Sequence, residues 1–229
     1  MVLPNLRVDH LDRSDNRLQP RPGLVCLAVG MPRYIAFLRA VNVGGRLVKM
    51  ADLRTCLAES GLGEVETYIQ TGNVRFTSSM RSSARVSEHV ERVLGAACGF
   101  DVPTVVVTPA ELRAVHDDAL AMPSPLPGDP RRYVTFLKAE PTRDERAAIE
   151  SGDFPGEASR VRGRAIHVWL TVPAHQAKSY NTKVSKSLVG TTRDLKVVAT
   201  LSDRWGVPSD LRGGHRLRRP RPQDHLGPS

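Results

Sequence analysis

The feature that most constrains the fold is the order of the hydrophobic patterns along the chain. The order runs strand, helix, strand, strand, helix, strand, and then it begins again. Strands show as short apolar or β-branched runs, and helices as apolar residues three or four positions apart. Six elements in this order are typical of the split βαβ unit, or ferredoxin-like plait. The sequence therefore predicts an α+β protein of two tandem ferredoxin-like plaits (βαββαβ).

The first plait is predicted to begin at the apolar run that follows Met31. Its six elements are expected at 33–41, 51–60, 64–70, 74–77, 83–98 and 103–108. Gly61 is predicted to end the first helix, and the turn at 71–73 to join the second and third strands. A connecting helix is expected at 110–120, so the first domain is predicted over residues 31–121.

The second plait is predicted over residues 131–206, after a Pro-rich linker at 122–130. Its first three strands are expected at 133–139, 159–162 and 165–171, and its two helices at 142–150 and 181–188. Thr142 and Glu145 have the spacing of a capping box at the start of the first of these helices. The end of the chain is less regular. We expect a fourth strand at 191–198 and a last helical turn at 199–205.

The two ends of the chain differ from the centre. Residues 1–30 show no periodicity, and they are predicted to be a disordered leader or the result of a start assigned upstream of Met31. Residues 207–229 hold five arginines and two aspartates, which is typical of a disordered basic tail. Because this tail holds a third of the net charge of +9, the two plaits are only mildly basic.

Composition excludes several classes of protein. No segment approaches the roughly 18 consecutive apolar residues of a membrane span, and the N-terminus lacks a secretory pattern. The cysteines, Cys26, Cys56 and Cys98, are odd in number and widely spaced, which indicates neither a disulfide framework nor a zinc site. These observations predict a cytoplasmic protein without a metal or a cofactor.

Topology indicates where a site is expected. In such a plait the end of the first strand and the turn between the second and third strands lie at one edge of the sheet, so loops 42–45 and 70–73 should meet. Free backbone N–H groups and amide side chains there are suited to a small polar or anionic ligand. Alternatively, the glycines only supply turn geometry. The candidate ligand-binding residues are Arg39, Asn42, Gly44, Gly45, Lys49, Gln70, Thr71, Gly72 and Asn73.

Known catalytic and phosphate-binding motifs are missing from the sequence. It contains no GxxxxGK[ST], no GxGxxG and no GxSxG. Whether the protein is an enzyme therefore stays open at this stage. Lys178, Thr192 and Arg193 in the second plait are secondary candidates for contact with a ligand.

Several motifs resemble those of a bacterial family, the domain-of-unknown-function family 1697. They are YIAFLRAVNVGG at 34–45, KMADLR at 49–54, TYIQTGNVRF at 67–76 and GFDVPTVVVTPAEL at 99–112. The resemblance covers residues 31 to 205, and it implies two ferredoxin-like plaits and no established activity. The chain departs from the family late, where TTRDLK at 191–196 replaces the usual TTRNWNT and Lys178-Ser179 stands in inverted order.

Two functions are therefore predicted. The first is an uncharacterised cytoplasmic bacterial protein that binds a small polar or anionic ligand at loops 42–45 and 70–73. The alternative is a nucleic-acid or protein-interaction module that uses an exposed sheet surface and the basic tail. The alternative is weaker for RNA, because the third strand offers only Phe76 where RNA-binding plaits carry several aromatic residues.

Overall fold

The computed structural model describes residues 30–42 and 47–207. In the first plait, four strands and two helices follow the predicted order. They are β1 (Arg33–Leu38), α1 (Met50–Glu59), β2 (Gly63–Tyr68), β3 (Asn73–Thr77), α2 (Ser83–Cys98) and β4 (Thr104–Val107). The strands form one antiparallel sheet in the order β2-β3-β1-β4, which is the strand order of a ferredoxin-like plait.

The second plait follows a connecting helix and repeats the arrangement. The elements are α3 (Pro109–Ala121), β5 (Arg131–Leu137), α4 (Arg143–Glu150), β6 (Glu157–Arg162), β7 (Ala165–Leu170), α5 (Lys183–Ser187), β8 (Gly190–Asp194) and α6 (Leu195–Trp205). Its strands form a second antiparallel sheet in the equivalent order, β6-β7-β5-β8. The prediction of two tandem ferredoxin-like plaits is confirmed.

Two predicted elements near the end of the chain were wrong. The strand expected at 191–198 ends at Asp194, because the Asp194 side chain accepts a hydrogen bond from the Lys196 N–H and caps α6. The helix expected at 181–188 is only the five-residue α5. The first strand is also shorter than predicted and ends at Leu38 rather than residue 41, since Ala40 and Asn42 adopt positive φ.

Each sheet is buried on both faces, which explains why β1 is an almost continuous apolar run. Tyr34, Ala36 and Leu38 contact the core beneath α1 and α2. Ile35 and Phe37 point the other way, into a core that both sheets share with α3 and α6. At its centre the rings of Phe37 and Phe136 stack with centroids 4.2 Å apart. The two plaits are therefore joined through an apolar interior.

The two plaits differ in the helix that precedes their last strand. In the first plait this is α2, with 16 residues. In the second plait the same part of the chain forms two short 3-10 turns (Ala174–Gln176 and Ser179–Asn181) and then α5, with five residues. These short elements cover less of the sheet than α2 does, and a cavity lies between them and the sheet.

Both plaits lie in one compact unit that begins at Met31. Almost all of the predicted leader and tail, 1–30 and 207–229, lies outside the described residues, so those two calls stay predictions. No helix within 30–42 or 47–207 has the length and hydrophobicity to cross a bilayer.

Candidate functional site

Asn42, the described residue of loop 42–45, contacts loop 70–73 in the structure. The Asn42 side chain donates a hydrogen bond from Nδ2 to the Gln70 carbonyl at 2.8 Å, and its Oδ1 accepts one from the Val48 N–H at 2.7 Å. The Leu38 N–H donates to the Gly72 carbonyl at 2.8 Å. Asn42 thus links the loops with both ends of its amide. Gly44 and Gly45 lie outside the described residues.

Backbone strain is concentrated at this loop pair. Four described residues other than glycine have positive φ, and three of them are Ala40 (57°), Asn42 (59°) and Ile69 (48°). The left-handed region is rarely adopted by a β-branched residue such as Ile69. Residues held in this region cost of order 1–3 kcal/mol each and persist only where neighbouring contacts fix them. Neighbouring contacts must therefore hold Ala40, Asn42 and Ile69 in this conformation.

Gly72 and Asn73 form the centre of the turn between β2 and β3. Gly72 has a φ of 73°, and a Cβ atom there would lie 2.8 Å from the Leu38 Cβ, so the turn needs glycine for its conformation and for close packing. Asn73 is completely buried, and its Nδ2 donates to the Tyr68 carbonyl at 3.1 Å and to Thr71 Oγ1 at 3.0 Å. Its amide is therefore already engaged within the turn.

Arg193, on β8 of the second plait, reaches into this turn. Its Nε donates to Asn73 Oδ1 at 2.6 Å, and its Nη2 donates to the carbonyls of Leu38 and Thr71 at 3.1 and 2.9 Å. Its Nη1 donates to Thr191 Oγ1 at 2.8 Å and to the Thr192 carbonyl at 2.9 Å. Every nitrogen of the guanidinium thus donates to the protein itself.

The Arg193 guanidinium is a buried cation whose hydrogen-bond acceptors are all neutral. The side chain is 7% exposed and its Cζ lies 5.4 Å from the centre of the Phe37 ring, within the range of a cation–π contact. Burial lowers the pKa of Arg193 to about 10, so the group stays charged at neutral pH. Through these contacts Arg193 joins the second plait to the loops of the first, and we call Arg193 with its hydrogen-bond acceptors the clamp.

A cavity of about 280 Å³ lies beside this clamp, on the helical side of the second sheet. Its floor is formed by all four strands of that sheet, and its walls by α4, Phe154 and the short elements that replace a long helix. The lining residues are Arg39, Thr135, Leu137, Ala148, Ile149, Phe154, Ser159, Ile166, Val168, Ser179, Tyr180, Thr182, Ser185, Leu188, Gly190, Thr191 and Thr192. Pockets for small molecules are of this size or larger.

Three hydroxyl groups in this cavity, those of Ser159, Ser179 and Tyr180, have no hydrogen-bond partner among the described residues, and the Ser179 oxygen is buried. The Tyr180 hydroxyl oxygen is buried and makes no hydrogen bond, and burial with Tyr133 and Glu157 nearby raises the pKa of Tyr180. Ser159 is 8% exposed, and its side chain has no hydrogen-bond partner among the described residues. Buried polar groups are normally hydrogen-bonded. Three unpaired hydroxyls in one cavity therefore indicate room for a ligand that supplies the missing hydrogen bonds.

The described lining of the cavity carries one positively charged side chain and no negatively charged one. None of the described residues that line it is acidic, and Arg39 is a lining residue whose side chain makes no hydrogen bond or ion pair with the part of the chain that the structure describes. The stretch 173–193 contains three lysines and no aspartate or glutamate. The surroundings therefore favour a ligand with negative charge.

Glu157 is a carboxylate on β6, two residues before the lining residue Ser159. Backbone N–H groups hold its side chain in place. Its two oxygens accept hydrogen bonds from the N–H groups of Lys178 and Ser179 at 2.7 and 2.9 Å. Burial by itself raises the pKa of Glu157, but the hydrogen bonds from Ser179 and Lys178 outweigh it and the net pKa lies below its ordinary value. Glu157 thus fixes the chain segment that presents Tyr180 to the cavity.

The predicted site residues fall into three groups. Arg39 and Thr192 line the cavity, where Thr192 Oγ1 lies 2.7 Å from Thr135 Oγ1. Lys49 lies elsewhere, in a groove between α1 and α2, and the side chain of Lys178 is exposed. The remaining described candidates, Asn42, Gln70, Thr71, Gly72, Asn73 and Arg193, form the clamped loop pair. Whether the loop pair itself binds a ligand stays a prediction.

Sequence reasoning missed Ser159 and Tyr180. Ser159 occupies an inward position of β6 between Glu157 and Val161, all three of which are buried, so alternation predicts that it faces the core. A serine at an inward position between buried residues was the available signal. Tyr180 gave no such signal, because it lies in an irregular segment between β7 and α5.

The sheet surface proposed for an interaction module is covered at its centre. Ile35 and Phe37 on β1 lie in the core shared by the two plaits, and Phe76 on β3 is completely buried on the opposite face. The basic tail lies outside the described residues. Residues 30–42 and 47–207, which the structure describes, contain no group of three or more His, Cys, Asp or Glu side chains that could hold a metal ion.

Comparisons with known proteins agree with the fold. Residues 31–167 match the family described as "Protein of unknown function (DUF1697)". The chain is also similar to the solved structure of a conserved bacterial protein from Streptococcus pneumoniae, at 24% identity and a TM-score of 0.60, over 77% of this chain and 99% of that chain. Curated proteins give no match. The family match ends within β7, so Tyr180, Thr191 and Thr192 lie beyond it.

Proposed function

The chain belongs to the DUF1697 family of proteins of unknown function, and we propose that it binds a small anionic ligand in the cavity beside Arg193. One observation carries the proposal. The cavity combines Arg39, which is exposed and has no partner among the described residues, with the unpaired hydroxyls of Ser159, Ser179 and Tyr180 and with no acidic side chain among its described lining residues. A cation and free hydroxyls beside apolar side chains are suited to orient an anion.

Arg39 is proposed to provide the charge. It follows β1 directly, and its backbone N–H donates to the Pro103 carbonyl at 2.8 Å, which fixes the start of its side chain. Arg39 belongs to the first plait, whereas every other lining residue belongs to the second. A ligand that contacts Arg39 therefore bridges the two plaits at the point where Arg193 already joins them.

Catalysis is not part of the proposal. The hydroxyls of Thr182 and Ser185 are hydrogen-bonded to each other, and Ser185 also donates to the Ser179 carbonyl. None of the described lining residues is a histidine, lysine or carboxylate that would serve as a general base. The arrangement supports binding. We also propose that the protein is cytoplasmic, as its unpaired Cys56 and Cys98 favour.

Titration of the full chain with hexanoate and with phenyl phosphate, followed by ligand-detected NMR, tests the proposal. Arg39→Gln should weaken binding about tenfold, because a hydrogen bond to a charged group contributes roughly 1.5–3 kcal/mol. Arg143→Gln is the matched control, since Arg143 is an exposed arginine on the outside of α4. Equal affinities of Arg39→Gln and the native protein, or no binding of either anion, would refute the proposal.

A further inference from the structure

We infer that the ligand of this cavity is an organic acid with two polar ends: an anionic group, a short hydrocarbon body, and an uncharged hydrogen-bonding group at the far end. The inference rests on the proposed function, because it starts from an anion at Arg39. It adds the chemistry of the rest of the ligand, which follows from where the polar and apolar lining residues lie on the second sheet.

The strand order separates the two polar ends of the cavity. Thr192 lies on β8, at one edge of the sheet, and Ser159 lies on β6, at the other edge. Arg39 is brought to the β8 edge, because Arg193 of β8 binds the Leu38 carbonyl that precedes it. Neighbouring strands are about 4.8 Å apart. Three such spacings separate β8 from β6, so the cavity runs across the sheet for roughly 14 Å.

The two central strands give this cavity a mainly apolar middle, in which the one polar side chain, Thr135, is hydrogen-bonded to Thr192. Leu137 on β5 and Ile166 and Val168 on β7 are buried lining residues that belong to one hydrophobic cluster. Ile149 of α4 and Leu188 contact the same cluster from the helical side. A hydrocarbon segment of the ligand is therefore expected between the polar ends, where it would cover apolar side chains that now border open space.

The far end of the cavity is polar but uncharged. Tyr180 lies close to Tyr133 of β5 and to Glu157 at the start of β6, and Ser159 lies two residues after Glu157 on β6. The hydroxyls of Tyr180 and of its neighbour Ser179 are buried without a partner, and that of Ser159 has none among the described residues. Because a hydroxyl both donates and accepts, this end suits a hydroxyl, carbonyl or amide group of the ligand. Nucleotides and sugar phosphates do not fit, since they lack the apolar middle.

Two probes that differ only at the far end test the inference on the full chain. They are hexanoate and 6-hydroxyhexanoate, titrated by ligand-detected NMR. The hydroxylated probe should bind about fivefold more tightly, because one added hydrogen bond contributes roughly 0.5–1.5 kcal/mol. Tyr180→Phe and Ser159→Ala should each reduce this preference and leave the affinity for hexanoate unchanged. Ser187→Ala, at an exposed serine of α5, should retain the full preference.

The outcomes separate this inference from the proposed function. If both probes bind equally to the native protein and both depend on Arg39, the anion site stands and the two-ended ligand is refuted. If neither probe depends on Arg39, the proposed function fails and the inference fails with it. If inorganic phosphate binds as tightly as 6-hydroxyhexanoate, the hydrocarbon body has no role and the inference is likewise overturned.

Discussion

Arg193 Nε donates a hydrogen bond to Asn73 Oδ1 at 2.6 Å, across 120 positions of the sequence. Through this contact the last strand of the second plait holds the β2–β3 turn of the first. Both side chains are buried, and the neighbouring Leu38 and Thr71 carbonyls accept further hydrogen bonds from the same guanidinium. The loop pair, the clamp and the cavity therefore form one structural unit at the junction of the plaits.

Arg193→Met should lower the free energy of unfolding by about 3 kcal/mol or more. The substitution keeps the volume but leaves Asn73 Oδ1 and several carbonyls buried without donors, and each unsatisfied group costs roughly 1–3 kcal/mol. Urea denaturation at neutral pH measures the change. Arg143→Ala, an exposed arginine, should stay within about 0.5 kcal/mol of the native value. A loss below about 1 kcal/mol for Arg193→Met would contradict the clamp.

Gly72→Ala should destabilise the protein more than Gly128→Ala. Both glycines have a similar φ, 73° and 77°, but a Cβ at position 72 would lie 2.8 Å from the Leu38 Cβ, whereas nothing lies within 4 Å at position 128. The left-handed conformation costs either alanine roughly 1–2 kcal/mol. Any additional loss of unfolding free energy in Gly72→Ala measures the cost of placing a Cβ atom so close to β1. If urea denaturation gives equal losses of unfolding free energy for the two variants, the turn accommodates the added Cβ without displacing Leu38.

The regular elements could be predicted where local signals agree with one another. Helix α2 has the predicted bounds because Ser82 caps it, its apolar residues recur at helical spacing, and Gly99 ends it with a φ of 74°. The start of helix α6 is predicted as strand up to residue 198, because Val197 and Val198 favour strands by composition alone. The Asp194 cap and burial of Val198 and Leu201 against the shared core override that preference.

The site could be predicted only as far as topology reaches. The strand order of a plait predicts that loops 42–45 and 70–73 lie next to each other. The contact between Arg193 and Asn73 depends on how the two plaits pack against each other. The spacing of residues in the sequence does not predict this packing. The cavity arises because α5 is short, and the space left by a short helix is a property of the folded chain rather than of any motif.

Phe136→Ala should lower the free energy of unfolding by about 3–5 kcal/mol, as expected for a large aromatic side chain removed from a core. Phe136 is 1% exposed and its ring stacks on Phe37 of the other plait. Phe154→Ala is the control, because Phe154 is partly exposed at the cavity wall and should cost clearly less. Urea denaturation distinguishes the two. Similar losses would mean that the core shared by the plaits contributes little to stability.

His167→Gln should flatten the dependence of stability on pH between about 6.5 and 5. Burial, with Arg132 and Arg162 nearby, lowers the pKa of His167 to about 4 from an ordinary value of 6.5. A depressed folded-state pKa means that the native protein holds His167 neutral while the unfolded chain takes up a proton. The stability that this neutral histidine contributes is full above pH 6.5 and falls by about 1.4 kcal/mol per pH unit as the pH drops toward 4.

Urea denaturation at several pH values measures the slope, and Glu157, whose pKa is lowered from 4.5, does not affect this range. His175→Gln, at an exposed histidine, should keep the native slope, and an unchanged slope in His167→Gln would mean that His167 is not the group that titrates.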